Sequence, residues 1–276
     1  MIRLIAIDID GTLLDPHGQI PAPNRDAIAR AMDAGVGVAL ATGRRYDFAR
    51  SIFEQLPAGV TLILSNGAVV KTRAGETIVR HLLPRDVARD VLRRPPQHRG
   101  TTAVLFDRPR AGQIVYETVD WDHPLHRAFF RANREFIATM PLEEALTEDP
   151  LQVMFTGPCA AMRQLYDELA AEEGRYAVTL TEYEYRDFSL VDIIRAGCSK
   201  GSALRELAES RGIGAEDVMA IGDNLNDLSM LEFAGRPIVM GNAVPELLER
   251  GWHVTRGNDD AGVAAAIETF VLRGAS

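Results

Sequence analysis

The run over residues 2–9 carries the tightest constraint on the fold, because it is apolar at nearly every position rather than at alternate ones. Alternation marks a strand with one wet face. A continuous apolar run marks a strand covered on both faces, as in a parallel sheet between two layers of helices. The run ends at Asp8-Ile9-Asp10-Gly11, which sets two carboxylates two residues apart at the mouth of a buried strand. Like charges repel more strongly as the local dielectric falls, so this pair calls for a compensating cation.

The pattern beyond it is that of strands alternating with helices. Residues 24–34 put Ala27, Ile28, Ala31 and Met32 on one helical face, and Gly35 ends the helix. A strand over 36–41, a helix over 46–56 and a strand over 60–64 follow. From Lys200 the same alternation returns: a helix over 202–211, a strand over 218–221 ending at Gly222-Asp223, a helix over 228–233, a strand over 237–240 and a closing helix over 263–272. Between these blocks the rhythm changes. A hairpin around Arg73-Ala74-Gly75 leads into a mixed segment, with a helix over 160–173 and strands over 102–106, 151–156 and 188–194. The expected fold class is therefore α/β: a Rossmann-like parallel-sheet core from residues 1–82 and 197–276, interrupted by an α+β unit over 83–196.

Composition narrows the function classes. At 276 residues with 46% hydrophobic content the chain holds one large domain or two ordinary ones, each with a real core. The net charge of -9 argues against general affinity for nucleic acid and leaves a small molecule as the expected partner. Cys159 and Cys198 are too few and too far apart for a disulfide framework or a zinc site. No apolar run has the length needed to span a bilayer, and the chain enters its first strand directly. A cytoplasmic protein, monomeric or a small homo-oligomer, is expected.

Ligands bind beyond the carboxyl ends of strands in open parallel sheets, and polar groups recur at those ends here. They are Asp8 and Asp10, then Thr42-Gly43-Arg44, Ser65-Asn66-Gly67, and Gly222-Asp223-Asn224-Leu225-Asn226-Asp227. Taken singly, each has a structural reading. Asp-x-Asp-Gly suits a turn, Thr42 suits an N-cap, Lys200 suits a solvated helix start, and residues 223–227 suit a turn or a calcium-like loop. Four such groups on one edge of one sheet make a site.

In order, Asp8-Ile9-Asp10-Gly11-Thr12-Leu13, Ala41-Thr42-Gly43-Arg44, Ser199-Lys200-Gly201 and Gly222-Asp223-Asn224-Leu225-Asn226-Asp227 resemble the four motifs of the haloacid dehalogenase (HAD) superfamily of phosphohydrolases. Ser65-Asn66-Gly67-Ala68 and Met240-Gly241-Asn242-Ala243 resemble its Cof-type branch, which carries a large α/β cap between the second and third motifs. The resemblance implies a magnesium-dependent phosphatase acting on a small phosphorylated metabolite through an aspartyl-phosphate. It implies Asp8 as nucleophile and Asp10 as general acid and base. It further implies Mg2+ held by the Asp8 side chain, the Asp10 backbone carbonyl and Asp223, with Thr42, Gly43 and Asn226 on the phosphate and Lys200 on the phosphate or on the Asp8 carboxylate. Asp227 would orient Lys200 or a metal-bound water rather than bind metal directly, and Arg44 and Asn66 would support the site from behind. The inserted cap would close over the core site and set specificity.

Two other readings use the same residues. A phosphomutase would return the phosphoryl group to another hydroxyl, and a phosphoacceptor regulatory domain would hold it to control a partner. Outside the motifs, the six histidines, His17, His123 and His126 among them, form no i,i+4 metal pair and read as surface or capping residues. Residues 182–187 read as a specificity loop or a solvated turn, and Arg93-Arg94-Pro95-Pro96 as a helix end and loop.

Overall fold

The computed structural model describes residues 1–93, 96–172 and 174–272. It forms two compact units, Met1–Arg80 with Ser199–Ser276, and His81–Cys198.

In the first unit the chain lays down β1 (Leu4–Asp8), β2 (Gly37–Ala41), β3 (Thr61–Leu64), β4 (Val69–Thr72) and β5 (Thr77–Arg80). The second unit contributes β6 (Thr102–Leu105), β7 (Ile114–Tyr116), β8 (Ile137–Thr139), β9 (Gln152–Gly157), β10 (Tyr176–Tyr183) and β11 (Phe188–Arg195). The chain then returns to the first unit for β12 (Val218–Gly222), β13 (Arg236–Val239) and β14 (His253–Val254).

The first unit's sheet runs β14-β13-β12-β1-β2-β3-β4-β5. β14 through β3 pair in parallel, and the β4–β5 hairpin adds two antiparallel strands. Both faces of β1 are covered, which is why its sequence is continuously apolar. Ile5, Ile7 and Ile9 meet the helices Ala22–Asp33, Tyr46–Phe53 and Gly262–Ile267. Leu4 and Ala6 meet the helices Lys200–Ser210 and Leu228–Phe233 on the other face. From β1 the chain builds outward through β2, and it later returns on the opposite flank through β12. The strand order therefore reverses at β1, and a doubly wound sheet opens a crevice at such a point.

The second unit is a sheet of order β10-β11-β9-β6-β7-β8, antiparallel except for the β7–β8 pair. The helices Arg85–Arg93, Leu142–Ala145 and Cys159–Ala170 cover one face. A second apolar cluster built on Leu105, Tyr116, Phe130 and Met154 lies on the other. Residues 182–187 form the end of β10 and the tip of the β10–β11 hairpin, with Asp187 in the left-handed region at φ 47°. Strands β7 and β8 have three residues each and too short a pattern to be read from sequence. β10 is different: Tyr176, Val178 and Leu180 alternate toward the helix-covered core, a usable two-residue period. His126 departs from its expected surface or capping role, since its side chain makes no cap hydrogen bond to the helix that follows it. It is buried, its Nε2 is 3.0 Å from Thr156 Oγ1, and its ring stacks on Phe130. In this region Arg94, Pro95 and the expected helix end at Glu173 lie outside the described residues.

Candidate active site

The turn after β1 separates the two aspartates. Asp10 has extended backbone dihedrals of -85° and 117°, and Gly11 then reverses the chain at φ 83°. A Cβ on Gly11 would stand 2.3 Å from Asp223 Oδ2, so only glycine lets the carboxylate that follows β12 lie against this turn. Thr12 Oγ1 donates to Asp223 Oδ1 at 2.7 Å, a second tie between the two strand ends. Three asparagines hold the turn from behind. Asn242 Nδ2 donates to the Gly11 carbonyl, Asn24 Nδ2 to that of Leu13 and Asn258 Nδ2 to that of Leu14. Asn24 also accepts from the Ala264 amide. Sequence patterns gave no local signal for Asn24 and Asn258, because their partners are loop carbonyls rather than neighbours in a motif.

Asp8 and Lys200 meet across 192 residues of chain, with Nζ to Oδ1 at 2.6 Å. Lys200 is not a solvated helix start: its side chain is fully buried, and it also donates to Asp227 Oδ1 at 2.6 Å. Ser199 caps this helix by accepting from the Ser202 amide at 3.0 Å, which fixes where Lys200 begins. Asp227 is wholly buried and heavily used as an acceptor. Beyond Lys200, its Oδ2 accepts from the amides of Asp223 and Asn224, both at 3.0 Å. It therefore ties the loop after β12 to the lysine.

Asp10 faces elsewhere. Arg44 grips it with two hydrogen bonds, Nε to Oδ2 at 2.8 Å and Nη2 to Oδ1 at 2.6 Å. The Arg44 amide donates to Thr42 Oγ1, and the Arg44 carbonyl accepts from Ser65. Thr42 thus forms the turn as well as lining the strand end. Ser65 and Asn66 both lie in the left-handed region, at φ 49° and 54°. Two such non-glycine residues in a row persist only where surrounding contacts over-determine them. Here Asn66 N–H donates to the Thr42 carbonyl, and Gly67 follows at φ 101° where a Cβ would stand 2.1 Å from the Ser199 carbonyl. Asn226 Nδ2 reaches Asn66 Oδ1 at 3.3 Å, and Gly43 lies against the same Asn66 side chain. All ten expected site residues thus belong to the first unit, in a carboxylate–lysine cluster and an adjoining Asp10–Arg44–Thr42–Asn66 group.

Carboxylate oxygens of Asp8, Asp223 and Asp227 lie within 4.8 Å of one another. Three buried acids against one ammonium leave an excess of negative charge. Burial and the Asp227 charge push the Asp8 carboxyl well above the usual carboxylate range, although Lys200 opposes them. Asp223 is pushed up to about 7, first by burial and then by Asp227. Burial would lower Lys200, but Asp227 and Asp8 outweigh it and hold the ammonium above the ordinary lysine range. An oxygen donor set that is costly to ionise in isolation fits a hard divalent cation. With Asp227 committed to Lys200 and two amides, Asp8 and Asp223 are the side chains suited to ligate it.

The chain matches the haloacid dehalogenase-like hydrolase family over residues 5–267 and belongs to it. It is 30% identical over 299 residues to the 5-amino-6-(5-phospho-D-ribitylamino)uracil phosphatase YwtE of Bacillus subtilis, with 98% of each chain covered. It is also 30% identical over 253 residues to the HMP-PP phosphatase of Cronobacter sakazakii, covering 90% of this chain and 87% of that one. A solved haloacid dehalogenase-like hydrolase from B. subtilis superposes with a TM-score of 0.82 at 27% identity, over 98% of this chain and 100% of the other. The chain is an enzyme of this phosphatase class.

Proposed function

We propose that the chain hydrolyses phosphate monoesters of small metabolites through an aspartyl-phosphate on Asp8. The observation that carries this reading is the Asp8 carboxylate itself, buried at the end of the central strand and hydrogen-bonded to Lys200. An Asp8 oxygen attacks phosphorus, the bond to the ester oxygen breaks, and Asp10 gives that oxygen its proton. Water then attacks the phosphoryl group and passes a proton to Asp10. The Asp8–phosphorus linkage breaks, and phosphate leaves with Asp8 and Asp10 restored. Lys200, Thr42, the Gly43 amide and Asn226 bind the phosphoryl oxygens as charge develops on them. Asp8, the Asp10 carbonyl and Asp223 would hold Mg2+, which when bound offsets negative charge and polarises the phosphoryl group.

Both relatives named above act on small phosphorylated compounds, which supports the same substrate class here. Selection among such esters is assigned to residues 81–198, the unit that contributes none of the motif residues. Asp8→Asn decides the central step. Turnover of a panel of phosphate esters is expected to vanish while circular dichroism and unfolding stay those of a folded protein. Wild-type turnover in this variant would sink the proposal.

A further inference from the structure

The grip of Arg44 on Asp10 has a consequence for the second half of the reaction. Its fork takes both oxygens of the carboxylate, at 2.8 Å and 2.6 Å. Bidentate pairing of this kind fixes a carboxylate in plane and rotation as well as in place. The arginine is itself held at three points. Its amide donates to Thr42 Oγ1, its carbonyl accepts from Ser65, and its guanidinium lies over the Phe48 ring with 4.8 Å from Cζ to the centroid. Asp10 needs such support more than Asp8 does. Asp8 is buried against Lys200, whereas the Asp10 side chain keeps 28% of its surface exposed and follows the end of the strand.

Resting on the proposed reaction, we infer that Arg44 is the positioning residue for Asp10 and holds its carboxylate in the orientation that receives the proton of the attacking water. The fork contacts both carboxylate oxygens, so the oxygen that takes the water proton is held in a fixed direction. In the dephosphorylation step the water oxygen bonds to phosphorus, the water proton goes to an Asp10 oxygen, and the phosphorus–Asp8 bond breaks to release hydrogen phosphate. Arg44 yields one of the two oxygens as the proton arrives. Formation of the aspartyl-phosphate from an ester whose leaving group needs no proton does not use this orientation.

The test is rapid-quench kinetics on Arg44→Met with p-nitrophenyl phosphate and Mg2+, following nitrophenolate and inorganic phosphate separately. About one equivalent of nitrophenolate is expected as a burst ahead of phosphate. The steady-state kcat should fall by about a hundredfold, the scale of a misplaced catalytic group. KM should fall with it and leave kcat/KM near wild type, because that ratio reports only the first step. Added guanidinium ion should restore part of the lost rate. A raised KM with no burst would mean that Arg44 binds phosphate instead, and would overturn the inference. If Arg44→Met does not fold, Arg44→Lys decides the matter, with a burst expected and a smaller fall in kcat. Asp10→Asn run alongside separates the two levels. Wild-type release of both products by that variant refutes the general-base reading itself, whereas a burst in Asp10→Asn but in neither Arg44 variant overturns only the role of Arg44.

Discussion

Gly11 shows how closely the site depends on single atoms. Its φ of 83° is open to glycine at little cost, and its missing Cβ leaves the space occupied by Asp223 Oδ2. Gly11→Ala adds strain of about 1–3 kcal/mol and pushes the carboxylate away from Asp8. Thermal unfolding should shift down, and magnesium affinity measured by titration calorimetry should weaken by more than the stability loss explains. Unchanged magnesium affinity would count against a metal site at Asp223. Asp8, Asp10 and Asp223 stand out in sequence because they lie at or just beyond strand ends, whereas Lys200 stands out only through the resemblance, since a helix start alone reads as solvated. The resemblance points Lys200 to the phosphate or to Asp8, and Asp227 to Lys200 or a metal-bound water, and the fold forms both ion pairs. The Asp10–Arg44 pair is not legible. The sequence leaves Asp10 and Asp8 as near neighbours, whereas the folded turn sends one to Arg44 and the other to Lys200.

At the scale of elements, legibility followed length and periodicity. The helix expected over 228–233 is found as Leu228–Phe233, and the β4–β5 hairpin turns about Gly75 as its residues suggested. The short strands β7 and β8 and the four-residue helices Leu142–Ala145 and Pro245–Leu248 escape such reading, since a single turn or three residues carry no period. The loop into the Arg127–Ala132 helix gave no hint that His126 would be buried. Burial, together with the neighbouring His123, lowers its pKa to about 4. The unfolded chain takes up a proton near the ordinary value of 6.5, and the folded one refuses it until about 4. Stability from this histidine is therefore present above about 6.5 and lost as pH falls toward 4. Thermal scans across that window should show a smaller acid-side loss for His126→Gln than for the unmodified chain; equal slopes would exclude His126 as the cause.

For the whole molecule, strand order gathers charge. Placing β12 beside β1 brings Asp223 and Asp227 to Asp8, and Lys200 offsets only part of the excess. Asp223 titrates at about 7 in the folded metal-free chain against an ordinary 3.8. The unfolded chain loses this proton first, so the metal-free fold loses stability as pH rises between those values. A divalent cation binds the ionised form and reverses the loss. Magnesium should raise the unfolding temperature clearly at about pH 8 and hardly at about pH 5, and a chelator should abolish both the gain and the phosphatase activity. Chelator-resistant activity would remove the metal from the reading.

What the amino-acid sequence determined by itself was local: which runs are buried on both faces, where they stop, and which polar side chains stand at those stops. Hydrophobic periodicity and turn chemistry act over a few residues, so they survive in a linear reading. Tertiary structure decided which charges answer one another, because a Coulomb interaction depends on distance in space and on the dielectric that burial creates. The same Asp-x-Asp-Gly that announced a charge problem thus became two different groups once β12 and the turn after β2 were folded against it.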